Sequence, residues 1–145
     1  MTTGGLRLEN RAAAWALALG DAVAATAADA ALATLSYYPG IRIGRLANAV
    51  RLTHSGAVRL LDRLEGEGLV ERRTGKDART AAVFLTDRGR TAAERFLQRR
   101  EQAVAALLAP LAGTDRRELQ RLIDKLLAEL PSSRPHQEAI CRLCD

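Results

Sequence analysis

Aromatic side chains are scarce in this chain: one Trp, two Tyr and two Phe among 145 residues. A core must therefore be assembled from Ala, Leu, Val and Ile, and Ala and Leu at helical spacing favour a mostly α protein. Lysine is scarcer still, with only Lys76 and Lys125, so the basic charge is almost all Arg. The positions of those arginines are more informative than their number. No apolar run approaches the roughly 20 residues that span a bilayer, so no membrane partner is expected. The first residues lack the basic start and apolar centre of a signal peptide, so a cytoplasmic location is expected. Cysteine occurs twice, as Cys141 and Cys144 near the C-terminus. GxSxG, Walker and HExxH patterns are absent, so neither an enzyme nor a cofactor is expected.

The length suits one domain with helical extensions. Hydrophobic residues make up 48%, enough to oppose wholesale disorder. The net charge of +5 is not evenly spread. Residues 41–90 hold 11 Lys/Arg against 6 Asp/Glu, while residues 1–40 hold 2 against 3 and residues 91–145 hold 9 against 8. One stretch thus carries the whole excess, which is the electrostatic footprint of phosphate binding.

Apolar periodicity divides the chain. An alanine-rich run from Leu8 to about Leu35 predicts a long helix, broken near Asp29, with Ala14, Leu17, Val23, Ala27, Ala30 and Ala31 as a stripe. Ser36 to Gly40 ends it. Ile43 to Val50 predicts a two-turn helix, and Arg51-Leu52-Thr53 a turn. Thr53 or Ser55 caps the next helix, which runs to about Glu67 with Ala57, Leu60, Leu61 and Leu64 facing inward. Gly68 stops it. Leu69–Thr74 and Ala81–Leu85 read as paired strands around a polar loop, residues 75–80. Thr86 caps a long helix to about Ala109. Thr114 or Asp115 caps a last helix ending near Leu130, with Glu118 completing a capping box if Asp115 is the cap.

Two short helices joined by a tight turn and followed by a hairpin make a helix-turn-helix with a β "wing". A major groove about 12 Å wide admits one α-helix. Thr53, His54, Ser55 and Gly56 lie at the N-terminus of the second helix, where small side chains allow close approach to base edges. Arg59 follows one turn later, positioned for guanine or phosphate, and Arg63 lies further along, for phosphate. Asp62 would repel phosphate and is expected to orient an Arg. In the wing loop, Arg79 can enter the minor groove, with Lys76 beside it and Asp77 holding it by a charge-assisted bond. Taken alone, the same loop reads equally as an exposed turn with a surface ion pair.

The run RLANAVRLTHSGAVRLLDRLEGEGLVERRTGKDARTAAVFLTDRGR resembles the MarR family of bacterial winged-helix transcription regulators. The resemblance rests on three pieces in combination: Leu64 to Val70 at the end of the second helix, Asp77-Ala78-Arg79 in the wing, and Leu85 to Gly89. It implies that Arg79 reaches the minor groove, that Asp77 supports it, and that residues 53–59 and 63 face the major groove. It implies a homodimer formed by the terminal helices on a pseudo-palindromic operator, acting as a repressor. The expected fold is mostly α with a small β-hairpin wing, an α+β winged helix-turn-helix with long N- and C-terminal dimerisation helices. Residues 1–40 form the N-terminal dimerisation segment, 41–90 the DNA-binding domain, and 91–145 the C-terminal dimerisation helices and tail. The residues themselves also ask for a dimer. Two reading heads roughly 34–36 Å apart address two half-sites, and Leu107, Leu108, Leu111, Leu119, Leu122, Ile123, Leu126, Leu127 and Leu130 are too many for a lone helical hairpin.

Two inputs are candidates for control. The resemblance implies a small phenolic-type ligand between the dimer helices and the DNA-binding lobe, for which Trp15, Leu35, Tyr37, Tyr38 and Arg42 are candidate lining residues. Trp15 and the tyrosines read more readily as packing residues than as a ligand lining. The tail offers His136, Cys141 and Cys144: a redox pair, three ligands of a metal site, or two unpaired thiols. The metal itself is unknown. Two other function classes stand beside the regulator. A thiol oxidoreductase using the CxxC lacks the βαβ context, and a winged helix that binds only protein leaves the wing Arg without a purpose.

Overall fold

The structure, a computed structural model, describes residues 8–23, 25–74 and 81–129. Lys76, Asp77 and Arg79 in the wing loop, and His136, Cys141 and Cys144 in the tail, lie outside the described residues. The element order is α1 (Leu8–Ala22), α2 (Ala27–Tyr37), β1 (Ile41–Arg42), α3 (Ile43–Ala49), α4 (His54–Gly66), β2 (Val70–Thr74), β3 (Ala81–Leu85), α5 (Asp87–Leu108) and α6 (Gly113–Ala128).

The break expected near Asp29 is present: α1 ends at Ala22 and α2 starts at Ala27. Thr26 Oγ1 accepts from the Asp29 backbone N–H at 3.1 Å, and the Asp29 carboxylate accepts from the Thr26 N–H at 3.1 Å. This reciprocal capping box starts α2, so Asp29 begins a helix instead of ending one. Around the turn of the helix-turn-helix the local chemistry matches expectation. Thr53 Oγ1 accepts from the Gly56 N–H at 3.1 Å and caps α4.

Both helices of this motif end the same way. After α3, Leu52 N–H donates to the Ala47 carbonyl at 2.9 Å and Arg51 N–H to Asn48 at 3.2 Å. After α4, Leu69 N–H donates to Leu64 and Gly68 N–H to Glu65, both at 2.9 Å. These are paired Schellman bonds, which require a left-handed residue just past the helix. Gly68 meets that at φ 69° without cost, whereas Arg51 adopts φ 56° with a side chain in place.

The sheet has three strands in the order β1-β3-β2, all antiparallel. The wing hairpin pairs Val70 with Leu85 and Thr74 with Ala81, and the short β1 adds Ile41 opposite Val83. Two residues carry no readable period, so β1 was not expected. Thr86 Oγ1 caps α5 by accepting from Gly89 N–H at 3.1 Å. Gly89 is required there because a Cβ would lie 1.9 Å from the Leu69 carbonyl oxygen.

The last helix departs from expectation at its start. Its N-cap is Ala112, with no side-chain cap bond. Beginning at Gly113 puts Thr114 and Asp115 inside the first turn, where Asp115 still suits the positive helix end. Glu118 bonds Arg121 instead, at 2.6 Å between Oε1 and Nη2.

One core gathers Leu32 and Leu35 of α2, Leu46 of α3, Leu60, Leu61 and Leu64 of α4, Val70, Val83 and Leu85 of the sheet, and Ala93 of α5. All four residues of the inward stripe expected for α4 are buried, and Leu60, Leu61 and Leu64 belong to this cluster. No residue of α6 is buried. Among the described residues, no helix is long and apolar enough to cross a membrane.

Candidate nucleic-acid interface

With Ala57, Leu60, Leu61 and Leu64 turned inward, α4 must present its remaining faces outward. Thr53, His54, Ser55, Arg59 and Arg63 are exposed, and Gly56 is half-buried. Thr53 and Ser55 hydroxyls lie 3.3 Å apart at the helix start. The structure therefore brings Thr53, His54, Ser55, Gly56, Arg59 and Arg63 onto one end and one side of a single helix, while Ala57, inside the run 53–59 expected to face the groove, is buried in the core.

Their charges are differently engaged. Arg59 has no ion pair among the described residues, and Arg63 has only a loose contact with Glu67 at 3.8 Å. Both are available to an anion. Two other carboxylates of α4, Asp62 and Glu65, are turned toward the wing instead. Arg72 of β2 donates to Asp62 Oδ1 at 2.7 Å. The Asp62 expectation, that it would orient an arginine, thus meets a partner that sequence reasoning did not name.

The hairpin bases are held too. Arg73 donates to Glu71 through Nε at 2.9 Å and lies 4.5 Å over the Phe84 ring. Both β2 arginines were missed as site residues. Arg72 shares a strand face with Val70, two residues away, which buries it beside α4. That alternation was the available signal.

The candidate effector residues do not share one described hollow within the single chain. Leu35 lines a hollow of about 500 Å³ with Ser36, Pro39, Arg73, Phe84, Leu85, Arg90 and Glu94. Tyr37 lines a separate hollow of about 510 Å³ with Leu97, Arg100, Val104 and Arg116. Trp15, Tyr38 and Arg42 line neither: Trp15 is exposed on α1, Tyr38 is the C-cap of α2, and Arg42 is the N-cap of α3. Tyr37 and Leu35 are two residues apart on α2, so they face different sides of it.

Comparison with known proteins follows the same geometry. The MarR family pattern matches residues 30–80, from α2 through the wing loop. An uncharacterised HTH-type transcriptional regulator of Bacillus subtilis, YwhA, is 33% identical over 78 residues, covering 53% of this chain. The match spans 56% of that relative's length. Among solved structures, the MarR family protein Rv2887 of Mycobacterium tuberculosis in complex with DNA has a TM-score of 0.66 and 26% identity, covering 83% of this chain and 98% of its own. The same protein in complex with salicylic acid gives 0.62 and 27%, covering 86% and 99%.

Proposed function

We propose, from the premise that this chain belongs to the MarR family of winged-helix transcription regulators, that it is a homodimeric, sequence-specific DNA-binding repressor. The observation that carries this reading is α4: a capped amphipathic helix whose buried stripe holds it on the core while Thr53, His54, Ser55, Gly56, Arg59 and Arg63 face out. These residues meet the major groove, Arg59 bonding guanine or phosphate and Arg63 phosphate. Lys76, Asp77 and Arg79 form the wing tip, with Arg79 in the minor groove. Residues 41–90 read DNA, while 1–40 and 91–145 join the two copies. Support for the dimer comes from apolar side chains left exposed on α1 and α6, among them Leu17 at 71% and Leu126 at 69%.

Release of DNA by a small aromatic ligand is the regulation this reading favours. Its support is the hollow beside Leu35 and Phe84, which joins α2, the sheet and α5, together with the salicylic acid complex of the Mycobacterium tuberculosis relative. Release by oxidation of Cys141 and Cys144 is the alternative, and it rests on the CxxC pattern alone.

Selection of bound sequences from random DNA, with thiols reduced and then oxidised, tests the whole reading. A palindromic consensus with dissociation constants on the order of 10⁻⁸–10⁻¹¹ M supports it. No enrichment over random sequence sinks it. Loss of the consensus only after oxidation makes the thiols the switch.

A further inference from the structure

Val58, Asp62 and Glu65 of α4 lie on one stripe of the helix, between the buried stripe and the reading residues. All three converge on one side chain of the wing. Arg72 Nη2 donates to Asp62 Oδ1 at 2.7 Å and to the Val58 carbonyl at 3.3 Å. Its Nη1 lies 3.5 Å from Glu65 Oε2. Its backbone N–H donates to Glu65 Oε1 at 3.2 Å. Among the described residues, no other residue of β2 makes a hydrogen bond or ion pair to α4.

We propose that Arg72 is a positioning residue: it locks the wing strand onto the reading helix and withdraws two carboxylates from the DNA-facing side. The proposal rests on the DNA-binding reading above and assigns a role to a residue outside the contact surface. Two physical effects act together. Arg72 sits two residues before the end of β2, so fixing its guanidinium to α4 fixes the direction in which β2 runs past the reading helix. The same fork compensates Asp62 and Glu65, which otherwise present two negative charges beside Arg59 and Arg63, where phosphates must come.

Stability alone does not account for this arrangement. The Arg72 side chain is 25% exposed, yet its Nε is buried without an acceptor. A partly satisfied, partly buried cation is generally no better for folding than an apolar side chain of the same length. Arg72→Met should therefore keep the fold while removing the lock.

The test compares wild type, Arg72→Met, Arg72→Lys and the double variant Arg72→Met/Asp62→Asn as full-length proteins, using the operator that wild type selects. Expected for Arg72→Met are a melting temperature close to wild type, faster amide exchange across Val70–Thr74, and operator affinity lower on the order of tenfold. Arg72→Lys, which keeps the charge and loses the fork, should fall between the two. Adding Asp62→Asn should recover part of the loss, because one uncompensated carboxylate is gone. Wild-type affinity and wild-type exchange in Arg72→Met would overturn the lock while leaving the DNA reading intact. A fall in affinity matched by a collapse in melting temperature would also overturn it, as mere structural damage. Failure of wild type to select any sequence instead defeats the DNA reading, and the role of Arg72 in it.

Discussion

Helices α4 and α6 are both amphipathic and similar in length, thirteen and sixteen residues, yet α4 buries Ala57, Leu60, Leu61 and Leu64 while α6 buries nothing. The first helix has found its apolar partner inside the same chain. The second, with Leu122, Ile123, Leu126 and Leu127 exposed, has not. α1 resembles α6, with Leu8 and Leu17 exposed. Under the proposed function, this difference separates the part that reads DNA from the parts that join two copies. The winged core is energetically closed and can hold a reading helix in fixed orientation. The terminal helices carry unspent apolar surface, which a second copy would cover under the proposed function.

That contrast can be broken most strongly inside the core. Gly89→Ala puts a Cβ onto the Leu69 carbonyl, and the backbone junction between α4 and β2 must shift. Chemical denaturation should show a loss of about 4 kcal/mol or more. Leu64→Ala, fully buried, should cost about 3 kcal/mol by the same measurement, through lost contacts and a cavity. Values near zero for either would mean that the core is not closed.

On the open side, Leu126→Lys should have a different signature. We expect sedimentation to shift from dimer toward monomer, while amide protection in α4 stays unchanged. A protein that remains dimeric would remove α6 from the interface. A smaller effect tests the two Schellman ends. Arg51→Gly relieves a left-handed side chain and should stabilise the core by about 1 kcal/mol in denaturant titration. The corresponding change at Gly68, to Ala, should go the other way.

The smallest effect belongs to the surface of α6. The hydrogen bond from Arg121 holds the Glu118 carboxyl below its usual range. A lowered folded pKa means that the pair contributes above the ordinary Glu range and is lost as pH falls through the lowered value. Glu118→Gln should melt slightly below wild type at neutral pH and match it in strong acid. A difference that persists in acid would have another cause.

How much of this was legible depended on how local the controlling chemistry is. Thr53, the 3- and 4-residue spacing of Ala57 to Leu64, and Gly68 mark α4 within sixteen residues, and each signal points the same way. The break between α1 and α2 was written in Thr26 and Asp29 but lay within an alanine-rich run that supports helix on both sides. The start of α6 went wrong because Thr114, Asp115 and Glu118 form a plausible cap, whereas the chain leaving α5 enters the helix at Gly113. The effector residues were the least legible. Whether Leu35 or Tyr37 lines a given hollow depends on which side of α2 meets the sheet and which meets α5.

By itself, the sequence determined the reading helix, its caps, the two strands of the hairpin, and where positive charge collects. These follow from interactions within a few positions along the chain, so periodicity and turn chemistry express them directly. Only the tertiary structure decided that Arg72 meets Val58, Asp62 and Glu65, that Ile41 joins the sheet, and that α6 stays uncovered. Those outcomes depend on which surfaces are brought together by packing, and residues far apart in the chain carry no local mark of the contacts they will share.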